Sequence, residues 1–318
     1  MPTPPTLCNL PNEFAMRIFN RVGFKSIQTL RKVCRDLRNH IDVIKPEANL
    51  VYVYILATDC KIQFIYKSQI QTLDVEQSGS KWCEVEYEKT VESGRSIVRC
   101  DSSEKIVNGD FLELASRDLQ LILKFQKKRI ELISFINGTE YSNNFLQLLE
   151  TWKSFLALEN QRLKVDLFHI NTNDHKSVIT ALSLIDPQSI YSITLFKLNE
   201  DIQQMDFAEI MEMEHWKTAK VFRSNFRITG SISAEYLLDL KKIFQNSTEA
   251  KKFRILYETF EDRKQFLEKM GPAVTYDQWF FRMSTTDDDV LWIHLEDRVI
   301  IFQREAVAEV PGYAVIQN

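Results

Sequence analysis

The chain has 318 residues, 44% apolar and 26% charged, with a net charge of −4 and an isoelectric point near 5.9. Such a chain can bury one large core or two modest ones, and its charge gives no general attraction to nucleic acid or anionic membrane. Only 8 glycines are present, which argues against folds built on Gly-rich phosphate loops. The five cysteines, Cys8, Cys34, Cys60, Cys83 and Cys100, are widely spaced and form no CxxC pair. They read as free thiols in a reducing compartment, with no structural zinc. "MPTPPT" (residues 1–6) reads as a disordered Pro-rich tail, not a signal peptide. No apolar run approaches the length of a membrane span. The expected location is therefore cytoplasmic or nuclear, without a membrane partner.

Charge is unevenly distributed. The first 50 residues carry eight Lys/Arg against four acids, which leaves a net charge of −8 on the other 268. In this basic segment, "LPNEFAMRIF" opens with Pro11, which needs no hydrogen-bonded N–H at a helix start, and with Glu13, which complements the helix N-terminus. Phe14, Ile18 and Val22 recur every four residues, with Leu10 before them and Phe19 beside them. Ser26 can cap a second helix, and Leu30, Val33, Leu37 and Ile41 mark one helical face. Three short helices cannot enclose so many apolar groups. The unit must dock on the rest of this chain or on a partner.

Leu10-Pro11-x-Glu13-Phe14, Ile18-Phe19, Leu30, Val33-Cys34-Arg35, Leu37-Arg38 and Ile41 stand in the order and spacing of the F-box motif, and residues 7–46 resemble that family. Val22-Gly23 and Ile27 replace residues more often leucine. The resemblance implies a three-helix module that binds the Skp-type adaptor of a cullin–RING ubiquitin ligase. It assigns Leu10, Pro11, Phe14, Ile18, Leu30, Val33 and Leu37 to the adaptor-facing or adaptor-supporting set, without sorting the two roles.

Residues 47–108 read as a strand-rich connecting segment. "NLVYVYIL" and "KIQFIY" flank "ATDC" as a hairpin. In "WCEVEYEKT", Cys83, Val85 and Tyr87 share one face, and Glu84, Glu86 and Glu88 the other, a half-buried strand with a solvated acidic side. "EQSGS" and "ESG" supply turns.

From residue 109 to 303, helical and strand patterns alternate. The strand segments begin near 129, 163, 189, 217, 251 and 278, at intervals of 26 to 34 residues. This rhythm predicts a leucine-rich-repeat-like α/β solenoid, with an open α/β sheet as the other arrangement. Asn137, Asn171, Asn199 and Asn225 follow the strand segments and could bond the backbone at each turn, although asparagine favours turns in any fold. "VLWIHLEDRVIIFQRE" reads as a closing hairpin around Glu296-Asp297, and residues 304–318 as a loose tail.

The segment "RLKVDLFHINTNDHKSVITALSLIDPQSIYSITLFKLNE", continuing to about residue 285, is similar to the FTH-type domain that follows F-boxes in nematode proteins. That resemblance implies a surface for a protein target. Solvent-facing strand positions are its natural place, and Asp166, Thr194, Lys220 and Arg254 are the candidates.

No GxSxG, P-loop, GxGxxG or HExxH stands in the sequence. The five histidines are scattered, and His169 on an apolar strand reads as a core residue. "TTDDD" (285–289) reads as a turn cluster. The five tryptophans are spaced as core anchors, not as a base-stacking platform. The expected fold is α+β: a three-helix F-box, a strand-rich segment and an α/β repeat domain. The expected role is non-enzymatic and without cofactor. It is that of a substrate-recognition subunit of an SCF-type ligase, with a Skp-type adaptor, a cullin reached through it and a protein target as partners. The alternatives are an F-box adaptor acting outside a ligase and an α/β enzyme with a non-contiguous site.

Overall fold

The computed structural model describes residues 7–22, 24–31, 33–68, 82–91, 94–100, 103–139, 143–196, 207–246, 252–274 and 277–317. The expected tail at 1–6, the "EQSGS" turn and Asn199 lie outside the described residues. The chain forms two compact units, Met1–Asp166 with Ser183–Ile185, and Leu167–Leu182 with Asp186–Asn318.

The first unit begins with a short 3-10 turn at Leu7–Asn9 and the helices α1 (Asn12–Phe19), α2 (Phe24–Arg31) and α3 (Arg35–Ile44). The strands β1 (Leu50–Ala57), β2 (Lys61–Ser68), β3 (Trp82–Lys89), β4 (Arg95–Cys100) and β5 (Ser103–Asn108) follow. Helix α4 (Phe111–Phe125), strand β6 (Ile130–Asn137) and helix α5 (Asn143–Leu158) complete it. The strands lie in the order β6-β1-β2-β3-β4-β5. Only β1 and β6 are parallel, and the rest form an antiparallel meander. The expected "ATDC" hairpin is present, closed by Thr58 N–H donating to the Lys61 carbonyl at 2.8 Å.

Local chemistry sets the start of α4. Gly109 has a φ of +134°, which an L side chain rarely adopts, and its carbonyl accepts from the Ser96 hydroxyl at 2.7 Å. Asp110 then caps the helix, accepting from the N–H groups of Leu112 and Glu113. One face of the sheet buries Phe64, Tyr87 and Phe135. Trp152 of α5 lies 6.2 Å from Phe64 and 6.0 Å from Phe135, centroid to centroid. The Tyr87 hydroxyl donates to Asp118 of α4 at 2.8 Å, and burial pushes its pKa well up.

The second unit contains most of β7 (Val165–Asn171), then α6 (His175–Ser183), β8 (Ser192–Phe196), α7 (Phe207–Glu212), α8 (Glu214–Thr218) and β9 (Val221–Ile232). It continues with α9 (Ala234–Asn246), β10 (Lys252–Phe260), α10 (Arg263–Met270), β11 (Gln278–Arg282), β12 (Asp289–Leu295), β13 (Val299–Ala306) and β14 (Ile316–Gln317). The order is β7-β8-β9-β10-β13-β12-β11-β14. Aromatic side chains of the helices cover one face. Phe244 of α9 meets Phe253 at 4.6 Å and Phe302 at 5.8 Å, Trp216 of α8 meets Phe222 at 4.1 Å, and Phe266 of α10 meets Trp279 at 6.1 Å.

The fold is mixed α/β, and the sheet is not a solenoid. Strands β7 to β10 are parallel neighbours in chain order, as the interval predicted. The step then stops, because β13, β12 and β11 return antiparallel. Their connections are too short for the crossover a parallel step requires. Of the asparagines among the described residues, Asn137 accepts from the Thr139 N–H at 3.4 Å in the turn after β6. Asn137 and Asn171 end strands, but Asn225 stands inside β9, and the Asn171 Oδ1 is buried without a partner. The closing hairpin does form, with Glu296 N–H donating to the Val299 carbonyl at 2.8 Å. Residues 304–306 extend β13, while Ile316–Gln317 pairs with β11 instead of trailing as a loose tail.

Candidate adaptor and target surfaces

The N-terminal helices sort the seven adaptor candidates by burial. Among the described residues their core includes Ala15, Phe19, Ile27, Leu37, Ile41 and Ile44. Leu37 therefore supports the module from inside, while Leu10 and Leu30 are half-buried. Pro11 is exposed, just ahead of α1, where its carbonyl accepts from Phe14 and Ala15. Phe14 and Ile18, one turn apart, remain 57% and 40% exposed, and Val33 67%. Phe14 and Ile18 thus form an apolar stripe that the module's own core does not use.

The opposite side of these helices docks on the chain itself. Arg31 joins α2 to α3 through Asp42, with Nε–Oδ1 at 2.8 Å and a second bond at 3.0 Å, and lies 5.8 Å from the Phe125 ring. Ala48 N–H donates to the Phe125 carbonyl at 2.9 Å, and Lys128 pairs with Glu47 at 3.1 Å. Both outcomes left open by the sequence are realised in part: one face packs on this chain, and another stays uncovered.

In the first unit, the face with Glu84, Glu86 and Glu88 is less solvated than its sequence implied. Glu86 pairs with Lys61 and, at 2.7 Å, with Arg99, which also bonds Glu88 and Glu104. Beside this network, Trp82 is 46% exposed, 6.0 Å from Tyr52 and 5.9 Å from Tyr54. Trp82 is therefore no core anchor, whereas Trp152, Trp216 and Trp279 are buried.

The target candidates fall on different surroundings. Asp166 is half-exposed and held by Arg129 at 2.7 Å. Thr194 is only 6% exposed, so it does not present a surface. Lys220, just before β9, is half-buried, and Arg254 on β10 is exposed. Register brings His169, Thr194, Arg223 and Arg254 into one row across β7 to β10, on the face opposite buried Phe168, Ile193, Phe222 and Phe253. Arg223, exposed beside Arg254, was not singled out in the sequence; the alternation with inward Phe222 was the available signal. Neither arginine has an ion pair among the described residues. Lys252 shares this face, because it and Arg254 alternate with inward Phe253.

Burial, and then the Arg223 charge, hold the His169 pKa below the ordinary histidine value. The folded state thus resists a proton that the unfolded chain accepts as pH falls below about 6.5. His169 contributes stability above that pH, and the contribution is lost as pH drops toward the lowered value. Comparing urea midpoints at pH 7 and pH 5 should show a smaller acid loss in His169→Gln than in the native chain. An equal loss would mean His169 titrates normally.

Among the described residues no group of three or more His, Cys, Asp or Glu is placed to hold a metal. No helix among them is long and apolar enough to cross a membrane.

Two domain families match the chain, the F-box domain over residues 7–47 and the FTH domain over residues 146–256. Both matches lie where the motifs implied them, the FTH domain downstream of the F-box. It is 23% identical over 298 residues to F-box A protein 224 of Caenorhabditis elegans, a span covering 90% of this chain and 68% of that protein. No solved structure matches it. An F-box domain in general indicates binding of a Skp-type adaptor. The FTH match runs from α5 into β10 and includes the row with Arg223.

Proposed function

We propose that the chain is the substrate-recognition subunit of an SCF-type cullin–RING ubiquitin ligase, with residues 7–46 as the adaptor module. The observation that carries this reading is the Phe14–Ile18 stripe, left exposed on a matched F-box whose own core closes without it. Pro11 and Val33 extend the contact, Leu10 and Leu30 border it, and Leu37 supports it from the core. A cullin is reached through the adaptor. The chain itself performs no bond chemistry; it raises the effective concentration of a target's lysines at the ligase.

The target surface is the exposed end of the row across β7 to β10, on β9 and β10. Arg223 and Arg254 lie side by side on neighbouring strands, where like charges repel, and an acidic segment of the target would relieve that repulsion. Lys220 is a candidate for the rim. Full-length chain and an Arg223→Glu/Arg254→Glu variant would each be captured from cell extract and their partners identified by mass spectrometry. The expected result is adaptor and cullin with both, and an acidic target with the native chain alone. Adaptor without cullin would favour assembly outside a ligase. An unchanged partner list in the variant would remove the target from this row.

A further inference from the structure

The first unit holds a cleft of about 610 Å³, bounded by α2 and α3, the sheet and α4. That volume lies within the range of small-molecule sites. Its floor is apolar: Phe64, Tyr87 and Ile122 are nearly inaccessible, and Val85, Val98 and Leu121 complete it. Its charged groups are mostly cations. Lys25, Arg31, Arg38 and Arg117 line it, against one carboxylate among the described residues, that of Asp118.

These cations are not equivalent. Arg31 is committed to Asp42. Arg38 bonds only the Arg31 carbonyl through Nε among the described residues. Arg117 is 67% exposed and lies 3.8 Å from Asp118, whose other oxygen already accepts from Tyr87. A second observation is independent of charge. Gln28 lines the same cleft, its Oε1 accepts from Arg31 at 3.0 Å, and its Nε2 is buried with no acceptor. That bond fixes which side of the amide donates, so a donor is left pointing at no protein oxygen.

We propose that this cleft binds an amphiphilic organic anion, a long apolar chain ending in one carboxylate, with the chain on the Phe64–Leu121 floor and the carboxylate between Gln28, Arg38 and Arg117. An apolar floor with a donor-rich rim matches both ends of such a molecule. A purely ionic ligand would leave the floor wet, and a neutral one would leave Arg38 and the Gln28 amide unanswered.

The test is a fluorescence titration of the full chain with 11-(dansylamino)undecanoate, challenged with oleate, oleyl alcohol or a peptide of alternating Glu and Leu. The expected result is saturable binding displaced by oleate at least tenfold more effectively than by oleyl alcohol. Arg38→Glu/Arg117→Glu should bind the probe at least tenfold more weakly. Both side chains are exposed, so the variant should keep the native unfolding midpoint. Leu121→Trp, which fills the floor without touching the rim charges, should also lose the probe. Absence of saturable binding, equal displacement by the alcohol, or native affinity in both variants would overturn the assignment. Displacement by the peptide but not by oleate would overturn it in favour of a protein segment.

Discussion

Replacing Phe14 by Asp and Ile18 by Lys in one chain should abolish capture of a Skp-type adaptor while leaving the unfolding midpoint nearly unchanged. Both residues are well exposed, so the substitutions open no cavity. The introduced charges also suit their places. The new carboxylate would stand near the N-terminus of α1 and the new ammonium near its C-terminus, each complementing the helix dipole. Stability should therefore shift by less than about 0.5 kcal/mol, as is usual for surface changes. Binding should respond far more, because buried aromatic and aliphatic anchors at an interface are worth about 2 kcal/mol or more each. Together that is a loss of roughly a thousandfold in affinity, before the cost of burying two charges. Calorimetric titration with purified adaptor would measure it. Retained affinity in the folded variant would place the adaptor on another face and remove the main support for the ligase reading.

The second large effect concerns stability. Trp152 is fully buried between Phe64 and Phe135, and Trp152→Ala should cost about 3–5 kcal/mol. Trp152→Phe should cost much less, and not only because it keeps more volume. The indole Nε1 is buried without a hydrogen-bond partner, so phenylalanine removes a donor that is a burden of about 1–3 kcal/mol. Urea unfolding of the two variants would separate the contributions. Equal losses would mean the indole N–H is satisfied after all.

Much of this arrangement was legible where the information is local. The i, i+4 recurrence of Phe14 and Ile18, the alternation in β3 and the turns that close β1–β2 and β12–β13 depend on residues a few positions apart. The parallel step from β7 to β10 followed from the length of the connections. What failed was direction and partnership. The segment at 278 fits the interval, yet its short links to β12 and β13 force an antiparallel return, which spacing between apolar runs does not reveal. Arg223 and Arg254 meet only through register across 31 positions, and the cleft requires α2, α3, α4 and three strands at once. Trp82 illustrates the opposite error: the spacing of the tryptophans reads it as a core anchor, whereas its place at the start of β3 leaves it on the surface.

The row on β7 to β10 also bears on how such chains can change over generations. Strands β9 and β10 divide these residues in two by parity, with Phe222 and Phe253 holding the frame and Arg223 and Arg254 facing out. Substitution at the outward positions leaves the inward packing intact. Lineages descended from one such gene could therefore exchange the outward set freely, keep the same skeleton and come to recognise unrelated proteins without passing through an unfolded ancestor.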